Sequence, residues 1–127
     1  MDLEMMNQPE SQRYQLFYNE LLVGEVIELY REFPSLWGRY RLYSFNEPNE
    51  LIKRIQSYVE YSIEADRIAQ EDEDTWHEFA GQRESQFQEL IDSGDWFLVD
   101  EEGNRHNILV PIFCQDNGVI WRWSHSE

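Results

Sequence analysis

From Leu51 to Ile68 the residues Leu51, Ile52, Ile55, Tyr58, Val59, Ser62, Ile63 and Ile68 recur at helical spacing, while the stretches on either side break into short aromatic and β-branched runs. A second helical stripe, Trp76, Phe79, Ala80, Arg83, Phe87, Leu90 and Ile91, follows at once and stops at Ser93-Gly94. Strands and helices grouped in runs specify the α+β class. We expect an antiparallel β-sheet of about six strands, an N-terminal three-strand unit and a C-terminal meander, with the two helices between them packed on one face. The sequence leaves open whether the two strand groups join into one sheet.

The N-terminal unit reads as Arg13 to Tyr18, a turn at Asn19-Glu20, Leu21 to Arg31, and Arg39 to Tyr43. Phe33 to Gly38 interrupts it as a loop, because Pro34 cannot donate to a ladder and Gly38 permits a turn. Gly24 marks a bulge or a close packing contact. Ser44 or Asn46 is the expected cap of the first helix, and Asp74 or Thr75 that of the second. The last third reads as Trp96 to Asp100, Asn107 to Cys114 and Val119 to Trp123, joined by turns at Glu101-Glu102-Gly103-Asn104 and Gln115-Asp116-Asn117-Gly118. Pro111 requires a bulge or irregular bonding in the middle strand.

The 127 residues suit one domain over 13–127, preceded by a flexible leader at 1–12. With 41% hydrophobic and 15% aromatic residues, the chain has material for a core, so its polarity belongs to its surface. Cys114 is the only cysteine, which removes an internal disulfide framework and suits a reducing cytoplasm. No stretch approaches the ~20 apolar residues of a membrane span, so we expect no membrane partner.

Charge is unevenly distributed. Of the 26 acidic residues, 14 lie between Asn46 and Asp95 against Lys53, Arg54, Arg67 and Arg83, giving that section −10 of the net −16. Such a field repels nucleic acid and attracts a basic partner. The six glycines are widely separated, which gives no support to a nucleotide cofactor, and we expect no cofactor of any kind.

Candidate chemical residues are few. His77, His106 and His125 make no close ligand pair, so they are expected to be solvated surface residues. His106 and Cys114 would lie ~26 Å apart on a straight strand, too far for a catalytic dyad. Cys114 is then a small buried or strand-end residue. Glu71, Asp72, Glu73 and Asp74 could gather a cation only weakly, since they lack the alternating ligands and glycine of an EF-hand loop, and no metal site is expected. The same run is a candidate surface for a partner. Trp37, Arg39 and Arg41, in the aromatic segment 33–41, are recognition residues if displayed, or a plug whose arginines answer the acidic helices if folded inward. The inward arrangement is the expectation. Trp121 and Trp123 share one face of the last strand and form a binding patch if the helices leave it uncovered.

The order Gly24-Glu25-Val26, Phe33-Pro34, Gly38-Arg39-Tyr40, then a helical section and Asp95-Trp96-Phe97-Leu98 resembles small uncharacterised bacterial α+β domains in which the phenylalanine-proline and glycine-arginine-aromatic segments close an N-terminal hairpin. The resemblance implies a compact α+β domain and no activity or functional residue. Taken together, these features point to a non-catalytic acidic interaction protein, an inhibitor or immunity-type partner of a basic protein. The competing expectations are a small hydrolase or ligand-binding domain using segment 33–41 and the Trp121/Trp123 strand, and a structural homodimer paired through an exposed strand edge.

Overall fold

The computed structural model describes residues 12–32, 34–44 and 49–124. The expected leader, apart from Gln12, lies outside these residues, as do Phe33, the candidate cap Asn46 and His125. Three strands come first: β1 (Arg13–Tyr18), β2 (Leu21–Glu32) and β3 (Ser35–Leu42). A helical section follows, with α1 (Glu50–Glu71), α2 (Glu73–Arg83), a 3-10 turn (Glu84–Phe87) and α3 (Gln88–Asp92). The chain ends in β4 (Trp96–Asp100), β5 (Arg105–Asn107), β6 (Ile112–Phe113) and β7 (Gly118–Trp121). The fold is α+β, and both strand groups join in one antiparallel sheet of order β5-β4-β1-β2-β3-β7-β6.

Seven strands stand where about six are expected, because the middle C-terminal run divides. Leu109 donates its N–H to Arg122 O, whereas Ile112 pairs with Ile120, so an extra residue bulges out around Val110-Pro111. The two pieces remain one path. Residues 107–109 lie beside 122–124, with Ile108 bridging Trp123, and the Ile108 N–H also donates to Trp96 O in β4. The two ends of the sheet therefore meet, and the sheet curls into a barrel. Ring contacts across the interior agree with this closure: Tyr14 of β1 meets Trp121 and Trp123 at centroid separations of 6.3 and 6.2 Å.

Alternation places Tyr14, Leu16, Tyr18, Val26, Leu36, Trp96, Leu98, Phe113, Val119 and Trp121 inside. Tight curvature requires β2 and β3 to run close together. A Cβ on Gly24 would collide with the Arg41 carbonyl oxygen, and one on Gly38 with that of Ile27, so glycine is needed at both. Residues 35–38 are strand and not loop, correcting the expectation drawn from the composition of the segment. β2 runs to Glu32, which pairs with Ser35 at the start of β3, and Trp37 sits in the ladder between Tyr30 and Ile120.

The helices close one end of the barrel, inserting Ile55, Tyr58, Val59, Phe87 and Leu90 into its core. Asn49 caps α1 by accepting the Ile52 N–H at 2.8 Å, rather than Ser44. Asp72 both interrupts the helical section and caps α2, its carboxylate accepting from the Asp74 and Thr75 N–H groups and the Thr75 hydroxyl. The second expected helix tightens into a 3-10 turn at Glu84–Phe87, which rotates Phe87 and Leu90 into the core. Trp96 fixes this end of the section, donating its indole N–H to Leu90 O at 2.9 Å.

Helix α1 is also fastened to the free edge of β6. Tyr58 donates to Pro111 O at 2.8 Å; the Ser62 hydroxyl donates to Phe113 O at 2.9 Å and accepts the Phe113 N–H at 2.8 Å; Asp66 accepts the Gln115 N–H at 3.2 Å. Pro111 fits because its nitrogen faces this outer edge rather than the β7 ladder. The edge that a strand-paired homodimer would use at β6 is covered. Replacing Ser62 with Ala would strand the buried Phe113 N–H and C=O, and should lower the unfolding free energy in urea by about 1–3 kcal/mol. An unchanged midpoint and slope would contradict this role.

Candidate functional site

Polar groups converge at the end of the barrel opposite the helices, where β1, β2, β4 and β5 bring Tyr14, Glu28, Arg31, Asp100 and His106 together beside Trp123. Tyr14 donates its hydroxyl to Glu28 at 3.1 Å, and Arg31 binds the same carboxylate at 2.6 Å while lying over the Trp123 ring. Burial first, then the Glu28 charge, raises the Tyr14 phenol far above its usual range, so it remains a donor at any physiological pH. Asp100 Oδ2 lies 2.9 Å from His106 Nε2; since a carboxylate only accepts, Nε2 carries the proton. His106 is thus not a simple solvated histidine as expected. It is anchored by Asp100 and packed edge-on to Tyr14 at 6.0 Å. The sequence signal was the six-residue separation across a tight turn, which places Asp100 and His106 on one face of neighbouring strands.

This arrangement orients an imidazole whose ring contacts are with Asp100, Tyr14 and Trp123. The Tyr14 hydroxyl is committed to Glu28, and the only thiol, Cys114, lies toward the helical end, pushed up to about 11 by burial and the Asp66 charge. The cluster ties β4, β5 and β2 to β1 across the barrel mouth.

The other expected residues fall in separate places. Trp121 is 2% exposed, so it offers no surface, and Trp123 is half-buried between Tyr14, His106 and Arg31. The Trp121/Trp123 patch is an interior wall. Trp37 points to the outer face, stacked on Tyr30 at 5.6 Å with its indole N–H buried and unpartnered among the described residues. Arg39 and Arg41 share that outer face; Arg41 reaches Glu25 on the neighbouring strand at 3.4 Å and does not answer the acidic helices. Glu71 pairs with Arg67 at 3.2 Å, Asp72 is the cap described above, and Glu73 lies 3.8 Å from His77. The run Glu71 to Asp74 is exposed at the α1–α2 junction.

Sequence patterns gave no sign of a groove between α1 and the β6–β7 surface. Two hollows of about 400 and 360 Å³ adjoin there, sharing Asp66, Cys114 and Ile120. The larger is walled by Ala65, Ala69, Trp76, Ala80 and Ile112, and the smaller reaches Trp37. Among the described residues no helix is long and apolar enough to cross a membrane, and no group of three or more His, Cys, Asp or Glu side chains is arranged to hold a metal ion.

The His106 contact and turn N–H groups hold the Asp100 carboxyl down to about 2. A carboxyl depressed on folding adds stability that is complete above its unfolded value of ~3.9 and disappears as pH falls toward 2. The Asp100 carboxyl ¹³C shift should titrate near 2 in the native protein and return toward the ordinary value in His106→Ala. A normal midpoint in the native chain would contradict the pairing. Compared with known proteins, the chain matches no family model, no curated protein and no solved structure.

Proposed function

We propose that the protein is a non-catalytic binding protein whose acidic helical layer docks a positively charged protein, in the manner of an inhibitor or immunity partner. The observation that carries this proposal is the placement of charge. The helices that cap the barrel belong to the −10 section, and its described carboxylates are mostly on exposed positions. Two of its four cations are already engaged, Arg54 with Glu89 and Arg67 with both Glu64 and Glu71. Among the described residues, Glu60, Asp74, Glu78 and Glu84 make no ion pair and are free to meet external cations. The field would raise the encounter rate with a basic surface and weaken as salt screens it.

A cytoplasmic setting suits the single cysteine, whose thiol is held neutral by its surroundings.

Association with a basic protein recovered from the native cell extract should be salt-sensitive. Replacing Glu60 and Glu78 together with Gln should slow it by about fivefold at low salt, with little effect on dissociation. Binding indifferent both to salt and to these replacements, followed by surface plasmon resonance, would sink the proposal.

A further inference from the structure

The groove between α1 and the β6–β7 surface has an unusual combination of linings. Ala65 and Ala69 on successive turns of α1, and Ala80 on α2, hold the walls apart; Ile112 and Ile120 form the apolar strand side. Its titratable carboxylates are spaced along its length, with Glu84 beside the larger hollow, Asp66 where the two join and Asp116 beside the smaller. Among the described residues no Lys, Arg or His lines either hollow. Ile112, 49% exposed, and nearby Leu109, 52% exposed, extend the apolar surface outward.

Resting on the proposal that the partner is basic, we infer that this groove is where the partner inserts an amphipathic segment, apolar side chains into the hollows and Lys or Arg side chains onto Glu84, Asp66 and Asp116. Charge complementarity selects that occupant. An apolar body alone would leave three carboxylates facing it, and a single small amine would answer only one of them. Length agrees: the α1 wall from Tyr58 to Gln70 runs about 18 Å, which accommodates three turns of helix or about five extended residues.

Two synthetic helical peptides of equal length and charge test this on the intact protein, one alternating Lys with Leu on opposite faces, the other with Gln in place of Leu. The Lys/Leu peptide should bind about tenfold more tightly and shift the amide resonances of Ala65, Ala69, Ile112 and Ile120. Ala69→Phe, which fills the larger hollow from an exposed position, should abolish that advantage, and Ile112→Gln should reduce it without relying on the same packing. Both variants should still bind the Lys/Gln peptide as the native protein does. Equal binding of the two peptides, unaffected by either variant, overturns the groove and leaves the acidic-surface proposal standing. No binding of either peptide at low salt overturns both. Concentration-dependent dimerisation lost in Ala69→Phe would assign the groove to a second copy of the chain and likewise overturn the inference.

Discussion

The match between helix α1 and the edge of β6 is the constraint on which the rest of the structure depends. Side chains four apart on a helix advance ~6.0 Å along its axis, and alternate residues of a strand advance ~6.6 Å. Over two repeats, ~12.0 against ~13.2 Å, the two spacings nearly coincide. Tyr58, Ser62 and Asp66 can therefore address the main chain at Pro111, Phe113 and Gln115 one after another. An open strand edge is ordinarily left to water or to another chain. Here the helix satisfies it, and the same contacts orient α1 so that Ile55, Tyr58 and Val59 enter the barrel.

The surface chemistry follows from that placement. Because polar groups fasten α1 along one side and apolar groups fasten it along another, its remaining face is turned outward with its carboxylates. Alanines at Ala65 and Ala69 leave the side above the fastened edge unfilled. The hollow between helix and strand thus results from joining a helix to a sheet edge through side chains that reach, rather than through close packing of large residues. At the other end of the barrel, where none of the described helices covers the interior, Tyr14, Glu28, Arg31, Asp100 and His106 complete the closure with hydrogen bonds around Trp123. The two ends are closed by different means, and the helical section carries −10 of the net −16.

Much of the fold was legible from periodicity. The 51–68 stripe produced α1, and the expected strand at Arg39 to Tyr43 forms as part of β3. Asn19, Asp116 and Asn117 adopt positive φ in the expected turns, although Gly118 does not. Local composition misled at 33–38, where proline and glycine suggested a loop. Gly38 instead serves the close approach of β2 and β3, a need set by a partner strand and invisible in the segment itself. The Asp72 break was obscured because four consecutive acidic residues all resemble caps.

The candidate site was less legible, for a physical reason. Trp121 and Trp123 alternate correctly, but only closure of the sheet decides that their face is interior, and closure rests on Ile108 bonding to both Trp96 and the Trp123 region. His106 was discounted for lack of a nearby ligand, whereas its partner arrives from the adjacent strand. The groove required the Ser62 and Asp66 contacts with residues some fifty positions away, which no short-range pattern encodes.

Amide hydrogen exchange at Phe113 and Gln115 tests the central arrangement most directly, because neither N–H is used in the β6–β7 ladder. If Ser62 and Asp66 hold them, both amides exchange slowly, Phe113 more so, and their protection is lost in step with that of the buried α1 amides as denaturant is added. Exchange of Phe113 at the rate of an exposed loop while α1 remains protected would contradict the account.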